Sequence, residues 1–253
     1  MAGSAQLPPP AQSRWAYFLD LDGTLLELAV TPEAIHVDPR LPDLLSDLQR
    51  ACAGAVALVS GRSLADLDRR LGVPTLPKAG QHGLERRDAA GLQWQHPPPL
   101  QAKLAIQSAL TPVFRSSNGL LLEDKGLSLA LHFRQAPELA GYVRGLAHRL
   151  VDEKGGGRMI VQEGKAVVEI KPAGIDKGTA IAEYLAEPPF AGRRPVFIGD
   201  DLSDEHGFAV VNERDGVSIG VGDRPSSARY RLADVGAVRS WLRGALRSPG
   251  GVA

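Results

Sequence analysis

Two acidic segments stand where acids are costly. Asp20-Leu21-Asp22-Gly23-Thr24-Leu25 follows the apolar run 15–19, and Gly199-Asp200-Asp201-Leu202-Ser203-Asp204-Glu205 follows the apolar run 195–198. Carboxylates at the end of a buried strand need a cation or a reaction to justify them. The four acids within residues 200–205 repel one another unless a metal neutralises them. Mg²⁺ takes such oxygens together with phosphate and water. Gly23 lets the chain turn sharply after the first segment. Ser60-Gly61-Arg62 ends another apolar run, 55–59, with a hydroxyl and backbone N–H groups suited to a phosphate oxygen at a helix N-terminus. Asp176-Lys177-Gly178 precedes a helical pattern, and its ammonium could offset charge on a phosphate and a carboxylate. Taken singly, each segment has an ordinary explanation: an acid-rich turn, a solvated acidic loop, a helix cap, a surface lysine. Two acidic clusters that both follow apolar strands weaken those explanations.

The elements that would position these residues alternate. Strands are predicted over 15–19, 55–59, 195–198 and 216–221. Helices are predicted from Leu41, Leu44, Leu45 and Leu48, and from Leu64, Leu67 and Leu71 behind a Ser63/Asp66 capping box. Others are predicted behind Asp176 with Ile181 and Leu185, and over Val235, Val238, Trp241 and Leu242. Alternation of this kind implies an α/β fold, a Rossmann-like doubly wound parallel sheet whose ligands bind outside the carboxyl ends of the strands.

The middle of the chain differs. Hairpins are predicted around Asp124-Lys125-Gly126 and Glu163-Gly164-Lys165. Between them lies a helix from Pro137 carrying Leu139, Val143, Leu146 and Leu150, stopped by Gly155-Gly156-Gly157. This ββαββ pattern is an inserted α+β domain. The expected division is a discontinuous core, 14–98 and 174–246, a smaller domain, 99–173, and flexible tails, 1–13 and 247–253.

Composition narrows the partners. With 29 Lys+Arg against 29 Asp+Glu the chain is formally neutral, whereas a general nucleic-acid binder is basic. Hydrophobic residues at 43% and charged residues at 23% fit a globular chain rather than a disordered one. No apolar run reaches 18 residues, so no membrane span is expected. The single cysteine, Cys52, allows no intrachain disulfide and sits among small apolar residues as a buried thiol. Residues 1–13 lack the charged and apolar regions of a secretory signal, so the cytoplasm is the expected location.

In order and content, Asp20-x-Asp22-Gly23-Thr24, Ser60, Lys177 and Gly199-Asp200-Asp201-x-x-Asp204 resemble the four motifs of the haloacid dehalogenase (HAD) superfamily of phosphatases. The resemblance spans nearly the whole chain, and the insert looks like that superfamily's C2-type cap. Gly80-Gln81-His82-Gly83-Leu84-Glu85, Glu123-Asp124-Lys125, His132-Phe133-Arg134 and Glu169-Ile170-Lys171-Pro172 are similar to segments of the trehalose-6-phosphate phosphatase family. So is Gly199-Asp200-Asp201-Leu202-Ser203-Asp204-Glu205. Ser203 stands where that family shows Thr, and Asp176 where it often shows Asn; both keep hydrogen-bonding capacity.

The resemblance implies a phosphoric monoester hydrolase acting on a small sugar phosphate. Asp20 would be the nucleophile, Asp22 the general acid and base, and Lys177 their cationic partner. Asp20, Asp22, Thr24, Ser60, Gly61, Arg62 and Lys177 would surround the phosphate. Mg²⁺ would bind Asp20, the backbone carbonyl of Asp22, and Asp200, with Asp201 at the metal or its waters and Asp204 behind. His82, Glu123, Lys125, His132, Arg134 and Glu169 would read the sugar. A monomer without nucleic-acid or membrane partners is expected. The alternatives are a phosphatase for sucrose 6-phosphate or mannosyl-3-phosphoglycerate, and a non-catalytic sugar-phosphate sensor.

Overall fold

A computed structural model of the chain describes residues 6–28, 36–164 and 166–247. In chain order the elements are β1 (Ala16–Leu19), α1 (Leu41–Ala51), β2 (Val56–Val59), α2 (Leu64–Leu71), β3 (Lys78–Gly80), β4 (Glu85–Arg87) and β5 (Gln93–Gln95). There follow α3 (Leu100–Ser116), β6 (Leu121–Asp124), β7 (Leu129–His132), α4 (Ala140–Lys154), β8 (Met159–Gly164) and β9 (Val167–Pro172). The chain then runs through α5 (Lys177–Leu185), β10 (Pro195–Gly199), α6 (Glu205–Glu213), β11 (Val217–Val221), β12 (Tyr230–Leu232) and α7 (Val235–Arg247).

Two compact units result: residues 1–94 with 176–253, and residues 95–175. In the first, the described strands run β12-β11-β10-β1-β2-β3-β4-β5, parallel from β12 to β3 and antiparallel between β3 and β4. Alternate side chains of the central strands enter opposite layers. Tyr17, Leu19, Val56, Leu58, Val196 and Ile198 meet the leucines of α1 and α2 and Val238 and Leu242 of α7. Phe18, Ala57, Val59 and Phe197 meet Ile181 and Tyr184 of α5 and Phe208 and Val211 of α6. Helices on both faces explain why these strands are apolar throughout. The α/β class and the parallel sheet agree with the sequence-based expectation. The short strands β3 to β5 were not foreseen; three residues carry no usable period.

The second unit is an antiparallel sheet in the order β6-β7-β9-β8. Leu129, Leu131, Val168 and Ile170 pack with Ile106, Leu110 and Phe114 of α3 and Val143, Leu146 and Leu150 of α4. Helix α3 was also not foreseen. Pro112 inside it signals a break, yet Ala102, Ile106, Leu110 and Phe114 still bury one stripe at four-residue steps.

The expectation of a flexible segment over 1–13 does not hold for the described residues 6–13. Ala11 is buried, Trp241 Nε1 donates to Pro9 O at 2.9 Å, and Arg231 N donates to Gln6 O at 3.0 Å. Tyr17 Oη donates to Gln12 O at 2.8 Å and accepts from Gln12 N at 2.9 Å. Aromatic hydrogen-bonding groups on β1 and α7 therefore hold this segment, and its composition gives no hint of them. Residues 1–5 and 248–253, the rest of the expected tails, lie outside the described residues. No helix among the described residues is long and apolar enough to cross a membrane. Cys52 is fully buried and its thiol is pushed up to about 12, chiefly by burial, which leaves it chemically quiet.

A chain beginning at Arg14 loses these hydrogen bonds and the burial of Ala11. Its unfolding free energy should fall by roughly 2–3 kcal/mol and its melting temperature by roughly 4–12 °C. An unchanged melting temperature would show that the segment contributes nothing to the fold.

Candidate active site

Three neighbouring parallel strands end in three of the candidate residues. Asp20 follows β1, Ser60 follows β2 and Asp200 follows β10, with Leu19 in register with both Leu58 and Ile198. Lys177 is brought to the same edge as the first residue of α5. Asp176 caps that helix by accepting from Thr179 N at 2.9 Å, and the Thr179 hydroxyl returns to Asp176 N in a capping box. Capping chemistry thus fixes the backbone from which Lys177 projects.

Lys177 Nζ donates to Asp20 Oδ1 at 2.7 Å and to Asp204 Oδ1 at 2.6 Å, and all three side chains are buried. Thr24 Oγ1 lies 3.1 Å from Asp20 Oδ2 and 3.2 Å from Asp200 Oδ1, so its one hydroxyl proton is shared between them. Gly23 has φ +84°, and a Cβ there would sit 2.2 Å from Asp200 Oδ2. Only glycine lets the first acidic loop turn beneath that carboxylate.

Two carboxylates share the buried Lys177 ammonium, and Asp200 lies beside them. Burial holds the Asp20 carboxyl well above the usual range; Lys177 opposes this, and Asp204 and Asp200 add to it. Burial, then Asp204, pushes Asp200 up to about 6. Burial alone would lower the Lys177 pKa, but Asp20 and Asp204 outweigh it and hold the ammonium firmly charged.

Asp20, Asp200 and Asp204 each offer an oxygen within 4.8 Å of the others. An all-carboxylate donor set with excess negative charge fits a hard divalent cation. Asp204 lies with this set and Asp201 does not, but both Asp204 oxygens already accept hydrogen bonds, Oδ1 from Lys177 Nζ and Oδ2 from Asp201 N. Asp201 caps the short turn 202–204 with its own carboxylate, while its N–H donates to Asp204 Oδ2 at 2.9 Å.

Asp22 and Arg62 form a pair: Nε lies 2.6 Å from Asp22 Oδ2 and Nη2 3.0 Å from Oδ1. Nη1 of the same guanidinium donates to Asp66 Oδ2 at 2.7 Å. Ser60 Oγ accepts from Arg62 N at 3.2 Å. His82 lies on the first unit, where its N–H donates to Ser60 O at 2.9 Å and its ring lies 2.7 Å from where a Gly61 Cβ would be. Within the same segment, Glu85 Oε1 accepts from Leu64 N at 2.9 Å and Gln81 Nε2 at 3.1 Å. The segment 80–85 is thereby fastened to the start of α2.

The other candidates lie on the second unit. Glu123, Ala130 and Glu169 are cross-strand partners, one residue out of phase with the row that packs on the helices, and so lie on the opposite face of the sheet. Lys125 pairs with Glu169, and His132 Nε2 lies 2.9 Å from Glu123 Oε2. Arg134 is exposed in the turn after β7. Glu123, Lys125, His132 and Glu169 therefore form one polar group.

Arg224 was missed. It donates to the carbonyls of Asp200 at 3.2 Å and Asp201 at 2.9 Å, and it pairs with Glu205. Glu205 also accepts from Ser227 N and Oγ, and these bonds hold its carboxyl down to about 2 against the effect of burial. No motif marks Arg224, because its partners lie about twenty residues away in a separate loop.

Asp200 binds its proton more tightly folded than unfolded. The resulting stabilisation is complete below about pH 4 and is lost as pH rises through about 6, amounting to about 3 kcal/mol. In chelator-treated protein, Asp200→Asn should gain roughly 2–3 kcal/mol on the wild type between pH 4 and 7 in urea unfolding. A difference independent of pH would mean that Asp200 titrates as an ordinary surface acid.

The trehalose-phosphatase family model matches residues 18–236. The chain is 44% identical over 235 residues to the trehalose-6-phosphate phosphatase of Escherichia coli (strain K12), covering 92% of this chain and 87% of that protein. It is 41% identical over 230 residues to a probable trehalose-phosphate phosphatase of Sinorhizobium fredii, covering 91% and 85%. The C-terminal domain of the trehalose-6-phosphate phosphatase of C. albicans has a similar fold: TM-score 0.79, 22% identity, 92% of this chain and 93% of that one. A haloacid dehalogenase-like hydrolase from Bacteroides thetaiotaomicron does too, with TM-score 0.67, 16% identity, 90% of this chain and 98% of that one. With a family model spanning most of its length and close relatives matched nearly end to end, this chain belongs to the trehalose-phosphatase family.

Proposed function

We propose that the chain hydrolyses trehalose 6-phosphate to trehalose and inorganic phosphate through an aspartyl-phosphate on Asp20. The Asp20 carboxylate carries this proposal. It stands at the end of a central strand, with one oxygen on Lys177 and the other beside Thr24. An Asp20 oxygen attacks phosphorus, the bond from phosphorus to the sugar oxygen breaks, and Asp22 gives that oxygen a proton. Water then attacks the phosphorus of the acyl phosphate, yields a proton to Asp22 and frees Asp20. Ser60 and Lys177 hold phosphate oxygens.

Burial biases Asp20 toward its neutral form, which is no nucleophile. Lys177 offsets only part of that bias. We assign Mg²⁺ to Asp20, Asp200 and the Asp22 carbonyl, with Asp204 behind. Held there, Mg²⁺ would neutralise acidic charge and draw electron density from the phosphoryl group. Glu123, Lys125, His132 and Glu169 are assigned to the sugar hydroxyls, since carboxylates accept from hydroxyls and an ammonium donates to them. We further propose a cytoplasmic monomer; its sole cysteine, Cys52, fits a reducing compartment.

Phosphate release over a panel of sugar phosphates tests the proposal. Trehalose 6-phosphate should be strongly preferred and turnover should vanish with EDTA. Asp20→Asn should lose activity by at least about a thousandfold while its melting curve persists. Sucrose 6-phosphate turned over equally well, or wild-type rates in Asp20→Asn, would overturn it. Glu169→Gln should lose more on trehalose 6-phosphate than on p-nitrophenyl phosphate, and equal losses would remove it from sugar recognition.

A further inference from the structure

Arg62 is expected among the phosphate ligands, yet its guanidinium faces carboxylates. Nε and Nη2 form a fork on the two oxygens of Asp22 at 2.6 and 3.0 Å, and Nη1 meets Asp66 Oδ2 at 2.7 Å. Both ends of Arg62 are held. Its N–H donates to Ser60 Oγ at 3.2 Å and its carbonyl accepts from Gln81 N at 2.8 Å. Asp66 is fixed in turn in the first turn of α2. Its N–H donates to the Ser63 cap at 3.2 Å, and Arg70 Nε donates to the same oxygen that Arg62 uses, at 2.8 Å. Arg62 is almost wholly buried, whereas the Asp22 side chain keeps 27% of its surface exposed. A planar fork of this kind fixes both the position and the plane of a carboxylate, which a single ammonium contact cannot do.

We infer that Arg62 is a positioning residue for Asp22 rather than a ligand of the phosphate, with Asp66 holding Arg62 in place. The inference rests on the assignment of Asp22 to the leaving oxygen. A small misplacement of a proton-transfer group is costly for the step that needs it and harmless to one that does not. Sugar alkoxide needs a proton to leave, while p-nitrophenolate leaves without one. Loss of Arg62 should therefore separate the two esters in the first chemical step.

Single-turnover measurements with excess enzyme read this directly. Arg62→Ala should slow the first turnover of trehalose 6-phosphate at least about tenfold. It should change release of p-nitrophenol by less than about threefold and leave inhibition by inorganic phosphate unaltered. Asp66→Asn, which keeps the arginine and the Ser63 cap, should show the same selectivity in weaker form and serves if Arg62→Ala folds poorly. Weakened phosphate inhibition with raised KM for both esters would overturn the inference and make Arg62 a phosphate ligand. Equal slowing of both esters in Arg62→Ala would overturn it in favour of a general structural role. In Asp22→Asn, selective loss on the sugar ester supports the underlying assignment, and equal loss in that variant removes the assignment itself.

Discussion

The site depends on a shortage of positive charge. Asp20, Asp200 and Asp204 converge where water is largely excluded, and Lys177 is the buried ammonium that faces two of them. Charges removed from water at this density cannot all persist without compensation. The lysine compensates part of the excess, and the remainder is a standing demand for a cation.

Building such a cluster requires rigid supports, and they are of two kinds. The parallel sheet, covered by apolar helices on both faces, sets the strand ends from which Asp20, Ser60 and Asp200 emerge. Local polar devices then aim the side chains. Asp176 and Thr179 cap α5 behind Lys177, Asp201 caps the turn before Asp204, and Arg224 draws on the carbonyls of Asp200 and Asp201. Gly23 keeps clear the space that Asp200 occupies. Each of these devices removes one freedom from the same cluster.

Apolar runs that stop at Asp20, Ser60 and Asp200 declare both a strand and its functional end, so the sheet centre and three site residues were legible in the sequence. Helices α1, α2 and α5 were legible through leucine spacing and caps. Helix α3 was hidden by Pro112, and β3 to β5 by their length. Contacts between distant residues were the least accessible. Arg62 invites assignment to a phosphate because it follows Ser60-Gly61, and nothing in the order of residues announces that Asp22 claims it. Asp201 and Asp204 are equally acidic in sequence; only the turn that Asp201 caps distinguishes their tasks.

The inserted unit has its own apolar cluster, formed by α3, α4 and the antiparallel sheet and sharing no buried residue with the clusters of the first unit. Heritable change can therefore act on the two units unevenly. Residues such as Glu123, Lys125 and His132 can drift, be exchanged or be recombined as a block without disturbing the packing around Asp20 and Lys177. A lineage with this architecture can rebuild the insert while inheriting the packing of the other unit intact, and the insert is the natural crossover segment for chimaeras.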